Sequence, residues 1–237
     1  MGYADSSGRS LADYPRPSLA VDVALLTLDP DGRLAVLLHE RTEKHATGEL
    51  SLPGTFVHHE ERLRDAALRA LRTKVGVTGQ EPRQLKVFDE PKRDHRGWVM
   101  SVAHVDLVPP ERLAPDGVLA PDCLLAPVAG DPARAELPEG HDQLAFDHAE
   151  IIADAVDWAR KLYERAPDPR HLIGDEFVLF DLQRVHQAIS HRAVHKDTFR
   201  RHMLPQLLET GELRRGLVGK PARVFRRKPN HDVGDAV

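Results

Sequence analysis

Short apolar runs separated by turn residues predict a strand-rich first half of the chain. The runs at residues 19–28, 34–38, 85–88 and 98–108 have the length and the Val, Leu and Ala content of buried strands. A Pro53-Gly54 pair interrupts residues 50–57 ahead of the next element. Helical spacing predicts a helix over residues 63–75, with apolar positions at Leu63, Ala66, Ala67, Ala70 and Leu71. Strands around one helix indicate a compact α/β unit.

The middle of the chain is predicted to be a loop followed by one long helix. Residues 109–142 are rich in Pro and Gly and are expected to be mostly loop. Residues 149–165 place Ile152, Val156 and Leu162 on one face, which is typical of an amphipathic helix. The Ala-Pro-Asp-Pro stretch at residues 166–169 ends this helix and marks the predicted domain boundary.

Two short helices and a hairpin are predicted beyond that boundary. The first helix spans residues 181–190, with Asp181 as its N-cap. After a turn at residues 191–195, the second helix runs from about 196 to 208, with Pro205 bending or ending it. Residues 212–216 and 219–226 then predict a hairpin whose tip carries Gly216, Gly219 and Lys220. A helix-turn-helix followed by a hairpin is typical of a winged helix.

Composition limits the classes of protein. The 237 residues are 41% hydrophobic and 30% charged, which favours a globular domain or two. The single cysteine, Cys123, excludes an internal disulfide and a Cys-rich zinc site. No apolar run approaches the roughly 20 residues of a membrane helix, and the first residues lack a secretory signal. We therefore expect a cytoplasmic protein with no membrane partner.

Charge is distributed unevenly along the chain. Residues 175–229 carry 12 Lys and Arg against 6 Asp and Glu, whereas the formal net charge of the whole chain is −4. A basic module on an acidic body favours a polyanion as the partner of that module. A merely solvated surface remains the alternative on charge alone.

A degenerate form of a known motif covers residues 52–77. The segment 55–77 resembles the Nudix box, in which a glycine and several glutamates surround a helix; here Glu61, Arg69, Leu71, Gly76 and Val77 match that pattern. Thr55 replaces the first glycine, and Ala70, Thr73 and Lys74 replace three glutamates. Positions 70, 73 and 74 share one helix face, which in an active Nudix enzyme gathers carboxylates around Mg²⁺.

The lost carboxylates predict a Nudix fold without its hydrolase activity. No catalytic residue and no metal site are predicted, and no cofactor is expected to be required. The degenerate motif comprises Thr55, Glu61, Arg69, Ala70, Thr73 and Lys74. The resemblance also implies a nucleotide pocket, because guanidinium and ammonium groups suit phosphate. The candidate effector-binding residues are Arg41, Glu61, Lys74, Arg93 and Arg96. Adjacent His58 and His59 are interpreted as loop residues.

The predicted recognition helix and hairpin supply a candidate DNA-binding surface. Their basic and polar residues suit phosphate contacts, with base-edge contacts added from the helix. The candidate residues are Lys196, Thr198, Arg200, Arg201, His202, Arg214, Arg215, Lys220 and Arg223.

The combination of both modules resembles the bacterial Nudix-related transcriptional regulators, the NrtR family. Further resemblance lies at residues 144–152, 182–186, 199–201 and 219–222. It implies a Nudix-like α/β sandwich domain at residues 19–148, a linker helix at 149–170 and a winged helix-turn-helix at 171–229, flanked by an arm at 1–18 and a tail at 230–237. It also implies a homodimeric repressor of NAD synthesis or salvage genes, bound to a palindromic double-stranded operator and controlled by an ADP-ribose-like nucleotide.

The sequence is also compatible with two other functions. The first is a Nudix hydrolase acting on ADP-ribose or a related nucleoside diphosphate derivative, with an accessory nucleic-acid-binding domain; the missing carboxylates argue against it. The second is a module that binds RNA or an acidic protein without regulating genes.

Overall fold

The computed structural model describes residues 5–42, 47–114, 116–215 and 220–229. The predicted tail at 230–237, the first four residues of the predicted arm, and Gly216 and Gly219 of the hairpin tip lie outside these ranges. Leu11–Asp13 of the predicted arm form a single 3-10 turn. Within the described ranges, no helix combines the length and apolar content that a bilayer crossing needs.

A mixed eight-stranded sheet forms the first part of the molecule. Its strands are β1 (Ser18–Leu28), β2 (Leu34–Glu40), β3 (Leu50–Ser51), β4 (Gly54–Phe56), β5 (Arg83–Phe88), β6 (Val99–Leu107), β7 (Cys123–Gly130) and β8 (Ala133–Ala135). The main path runs β5-β6-β1-β2-β7-β8, with β3 on β2 and β4 on β1. The central strand β1 pairs in parallel with β6 and antiparallel with β2 and β4. Its central position explains its nearly continuous apolar run, because both of its faces are covered.

Two helices cover the two faces of this sheet. Helix α1 (Leu63–Val75) packs Ala66, Ala67 and Leu71 into one apolar cluster, as its spacing predicts. Gly76 ends it in the left-handed conformation at φ 71°, a geometry that glycine adopts without steric cost. Helix α3 (His148–Arg165) buries its apolar face in the larger cluster on the other side of the sheet.

The segment between β6 and α3 is more ordered than its composition predicts. Residues 109–142 were expected to be mostly loop, but they contain the short helix α2 (Pro110–Leu113) and strands β7 and β8. Strand β7 lies inside the sheet beside β2 and includes Pro127, whose missing N–H does not prevent the pairing of Ala35 with Pro127. Tertiary pairing therefore outweighs the local Pro and Gly content.

A small domain with its own core follows α3. It contains β9 (Glu176–Val178), α4 (Leu179–Ser190), α5 (Lys196–Met203), β10 (Leu207–Arg214) and β11 (Ala222–Arg227). The three strands form a sheet in the order β10-β11-β9. Its core comprises Phe177, Leu182, Phe199, Met203, Leu207 and Phe225. This arrangement of two helices and a hairpin is the predicted winged helix.

The predicted N-cap of the first helix is wrong, and the second helix stops before Pro205, as one of the two predicted outcomes has it. Asp181 is not the N-cap of α4, because the helix begins earlier at Leu179 with Val178 as its N-cap. The second helix does not reach residue 208: α5 ends at Met203, a 3-10 turn containing Pro205 follows, and Leu207 already begins β10. Proline sets the limit of α5 because it fits the first turn of a helix but not its interior.

The winged helix packs tightly against α3 and the large sheet. Val185 and Ile189 of α4 belong to the same core cluster as the buried face of α3. The Tyr163 hydroxyl donates to Asp168 Oδ1 at 2.6 Å, and Asp168 also accepts a hydrogen bond from Arg227 of β11. The buried Asp168 side chain accepts two backbone N–H groups as well. Helix α3 thus packs against both domains.

Candidate functional site

A pocket of about 250 Å³ opens where β1, β4 and the start of α3 meet. Four of the five predicted effector-binding residues line it: Arg41, Lys74, Arg93 and Arg96. They come from distant parts of the chain, and the sheet brings them together. A cluster of cationic side chains around one cavity suits a ligand that carries phosphate groups.

Glu61 is placed outside this lining and has a structural partner. Its two carboxylate oxygens accept hydrogen bonds from Nε and Nη2 of Arg69, at 2.8 and 2.7 Å. Arg69 also donates to Thr55 Oγ1 and to the Phe56 carbonyl oxygen, so the pair fastens β4 to α1. The hydrogen bonds from Arg69, together with one from the His58 backbone, lower the pKa of Glu61 to about 2. Glu61 thus has a structural role, because its ion pair with Arg69 holds β4 against α1.

The helix face that holds carboxylates in the intact Nudix box has none here. Ala70 is fully buried, Thr73 donates to the Arg69 carbonyl oxygen at 2.8 Å, and Lys74 lines the pocket. The described residues contain no group of three or more His, Cys, Asp and Glu side chains arranged to hold a metal ion. His58 and His59 are exposed in the loop after β4, as predicted.

The floor of the pocket is a buried polar network around Asp22. Asp22 Oδ2 accepts a hydrogen bond from Ser101 at 2.6 Å and lies 3.4 Å from Arg93 Nη2. Asp22 Oδ1 lies 3.4 Å from Nε2 of His148, while Nδ1 of His148 accepts the Leu52 N–H at 3.0 Å. Burial alone would raise the pKa of Asp22, but these partners lower it to about 2. The network fixes a negative charge under the cationic rim.

Gly54 allows this network to form. A Cβ atom at position 54 would overlap the carboxylate of Asp22 and lie 2.9 Å from the Val21 carbonyl oxygen. Strand β4 therefore passes over Asp22 only because residue 54 has no side chain. The Pro53-Gly54 pair was interpreted as a chain break, and its close packing against Asp22 was not predicted.

Aromatic and guanidinium groups form the upper wall of the pocket. The Arg41 and Arg96 guanidinium groups each lie 5.0 Å from the centre of the Phe146 ring, and Arg96 also lies 5.2 Å from the Phe56 ring. Such geometry favours cation–π attraction, and the rings offer a planar surface to a base or sugar. Phe146 and Phe56 were absent from the predicted set, although residue 146 lies in the segment that carried the family resemblance.

Of the four cations that line the pocket, Arg93 is the buried one. Its side chain is only 3% exposed. Nε and Nη2 donate to the two Asp147 oxygens at 2.7 and 2.5 Å, and Nη2 also faces Asp22. The prediction that Arg93 contacts a ligand phosphate therefore requires a change in these ion pairs. Arg96 makes a similar bidentate contact with its neighbour Asp94, with the shorter bond at 2.6 Å.

The winged helix presents all nine candidate DNA-binding residues on its surface. Their side chains are exposed on α5, on the two hairpin strands and, for Arg215 and Lys220, just beyond the ends of those strands. Phe199 and Met203 face the core instead. No ion pair joins Lys196, Arg200 or Arg201 to another described residue, whereas Arg214 faces Asp181 and Arg223 faces Glu209. Helix α5 thus carries three cationic side chains that no described carboxylate pairs with.

Comparisons with known proteins agree with both halves of this description. The NUDIX domain model matches residues 18–166, and the model of the NrtR DNA-binding winged helix domain matches residues 169–227. An ADPR responsive transcriptional repressor NtrR of Acinetobacter baylyi is 27% identical over 218 residues, which cover 91% of this chain and 84% of that protein. An ADP-ribose pyrophosphatase of Methanocaldococcus jannaschii is 30% identical over 148 residues, covering 61% of this chain and 76% of that protein.

Solved structures also resemble about nine tenths of the chain. Shewanella oneidensis NrtR complexed with a 27mer DNA has a TM-score of 0.69 and 29% sequence identity, covering 89% of this chain and 94% of that chain. A MutT/nudix family protein from Enterococcus faecalis has a TM-score of 0.71, covering 93% of this chain and 90% of that one. Its identity of 23% makes it a likeness of fold alone.

Proposed function

Because the chain belongs to the NUDIX family and ends in an NrtR-type winged helix domain, we propose that it is a transcriptional repressor controlled by a nucleotide. The winged helix binds operator DNA, and the NUDIX domain binds an ADP-ribose-like effector that releases the DNA. The target genes are those of NAD synthesis or salvage, and two subunits bind a palindromic site. The similar protein of Acinetobacter baylyi is an ADPR responsive transcriptional repressor, which supports repression under the control of an ADP-ribose-like nucleotide.

The observation that carries this proposal is the exposed basic face of α5. Lys196, Arg200 and Arg201 lie on the surface of the second helix of a helix-turn-helix, the element that enters the major groove in such proteins. Arg214, Arg215 and Lys220 extend the positive charge along the hairpin. The DNA complex of the similar Shewanella oneidensis protein supports DNA as the polyanion.

The pocket suits binding of a diphosphate better than its cleavage. Phosphoryl chemistry in this fold depends on oxygen ligands that hold a divalent cation, and Ala70, Thr73 and Lys74 occupy the positions of those ligands. Lys74 instead brings a positive charge to the pocket. It neutralises phosphate charge without activating water, so a bound nucleotide persists as a signal.

Fluorescence anisotropy of the full chain on promoter DNA from NAD synthesis genes of its genome tests the proposal. A scrambled duplex of equal length at near-physiological salt is the reference. Selective binding to the promoter, reversed by ADP-ribose, is expected. Equal, weak and strongly salt-dependent binding to both duplexes would reduce the interaction to nonspecific electrostatics and contradict the proposal.

The second candidate function is hydrolysis of ADP-ribose. The 30% identity to an ADP-ribose pyrophosphatase favours it. Incubation of the protein with ADP-ribose and Mg²⁺, followed by chromatography of the products, distinguishes a repressor from a hydrolase. We expect no turnover above a blank; sustained production of AMP and ribose phosphate would identify the protein as an enzyme.

A further inference from the structure

The first residues of α3 depart from the usual geometry of a helix start. Phe146 has a left-handed backbone at φ 54°, a conformation that is strained for a residue other than glycine. Asp147 occupies the N-cap position, yet its side chain makes no capping hydrogen bond. Both of its oxygens are bound by Arg93 instead. Strained or uncapped residues persist where their surroundings hold them, and they are common at switch regions.

The same residues separate two cavities. A second cavity of about 420 Å³ lies on the β5 side of the pocket, and Lys86, Lys92 and Glu150 are among its lining. Phe146 and Arg93 line both cavities. Asp147, the partner of Arg93, lines the second cavity only. We call Phe146 and the Arg93–Asp147 ion pair the wall between the two cavities.

A nucleotide that fills the first pocket brings phosphate oxygens to this wall. The first pocket alone is smaller than the roughly 300–1,000 Å³ of cavities that enclose small-molecule ligands. Phosphate accepts the same bidentate hydrogen bonds from a guanidinium group as a carboxylate does. The ligand thus competes with Asp147 for Arg93, and the second cavity offers space for a ribose beyond the diphosphate.

We propose that Asp147 is the positioning residue through which the ligand acts on DNA binding. A nucleoside diphosphate with a second sugar displaces Asp147 from Arg93, opens the wall and moves the start of α3. The far end of α3 carries Tyr163, which bonds to Asp168 and packs its ring at 5.2 Å against His186 of α4. A shift of α3 therefore reaches the winged helix. This inference rests on the proposed function, and it requires that the ligand bind the two arrangements unequally.

The variant Asp147→Asn tests the proposal because it removes the charge and keeps the shape. Asparagine is a good N-cap, so the helix is expected to form. Without the ion pair the closed wall is less favoured. We expect ADP-ribose to bind the variant about tenfold more tightly and the free variant to bind operator DNA about tenfold more weakly, within the range of known coupling factors. Titration calorimetry and anisotropy measure the two affinities.

The control is Asp157→Asn on the same helix. Asp157 is exposed, and its one ion pair within the described part of the chain is with Lys161 one turn later, at 2.6 Å, so both affinities are expected to stay at wild-type values. Asp147→Ser, which also caps helices, repeats the test, and circular dichroism checks that each variant is folded. A wild-type chain that binds neither operator nor ADP-ribose refutes the proposed function. A wild-type chain that binds both, with Asp147→Asn indistinguishable from Asp157→Asn, refutes only the role of Asp147.

Discussion

Removing the two arginines in the last turn of α5 is expected to eliminate specific DNA binding without unfolding the protein. The double variant R200Q/R201Q changes two exposed side chains, while the neighbouring Phe199 stays buried in the core. Surface substitutions of this kind change stability by less than about 0.5 kcal/mol. A hydrogen bond to a charged phosphate contributes about 1.5–3 kcal/mol. Two such bonds correspond to a loss of about 10²–10⁴ in affinity.

The salt dependence of binding gives a second, independent magnitude. Each phosphate contact contributes about 0.9 to the slope of log K against log salt concentration. If both arginines contact phosphates, the slope falls by about 1.8 in the double variant, and an arginine that contacts a base edge instead reduces discrimination between sequences. Anisotropy titrations on operator and scrambled duplexes between about 50 and 200 mM salt measure both quantities.

The matched control for this prediction is R72Q on α1. Arg72 is an exposed arginine in the last turn of a helix of the NUDIX domain. Its removal changes the net charge but is expected to leave the operator affinity within twofold of wild type. Wild-type affinity and slope in R200Q/R201Q would refute α5 as the recognition helix. A fall in log affinity for R72Q that is half the fall in the double variant, in proportion to the one charge removed against two, would show that net charge alone controls binding.

Three further predictions follow from the pocket and the domain contact. Gly54→Ala places a methyl group against the Asp22 carboxylate, so we expect a loss of about 1–3 kcal/mol in the free energy of unfolding, measured by urea denaturation, together with loss of ADP-ribose binding; wild-type values for both would show that the network is not essential. Burial lowers the pKa of His186 to about 4, although the charge of Asp168 raises it. As the pH falls from about 6.5 to 4, the unfolded chain therefore binds more protons than the folded chain, and the free energy of unfolding falls by about 3 kcal/mol. In His186→Leu this part of the pH dependence should disappear, and an unchanged pH profile of stability would contradict the low pKa of His186. Lys74 stands where the Nudix box has a metal-binding glutamate. Chelating divalent ions with EDTA should therefore leave the affinity for ADP-ribose unchanged in calorimetry. A strong Mg²⁺ requirement would instead favour the hydrolase function.

Local signals in the sequence predict α1 and the winged helix well. Helix α1 spans Leu63–Val75 as predicted, because its apolar spacing and Gly76 define both its face and its end. The two-helix and hairpin pattern of the C-terminal domain is also confirmed, since turn-forming residues mark the connections between its elements. The end of α5 was misplaced because the apolar spacing continues through Leu207, while Pro205 stops the helix.

Long-range contacts explain what the sequence could not predict. Strand β7 is stabilised by pairing with β2, which lies far earlier in the chain, and its own composition resembles a loop. Arg93 was predicted to face a phosphate, but its carboxylate partner Asp147 is 54 residues later. Phe146 contacts Arg41 and Arg96 only after the sheet has assembled. Pairings of this kind leave no periodic trace in a single sequence.

The most direct test of nucleotide-controlled repression is a titration of ADP-ribose into the preformed complex of the full chain and operator DNA. EDTA is present throughout, so that neither metal binding nor hydrolysis contributes. We predict a saturable fall in anisotropy to the value of free DNA. AMP at the same concentration is the comparison and should produce a smaller fall. An anisotropy that ADP-ribose leaves unchanged while calorimetry shows the nucleotide bound to the protein would contradict the account, because the pocket and the winged helix would then be uncoupled.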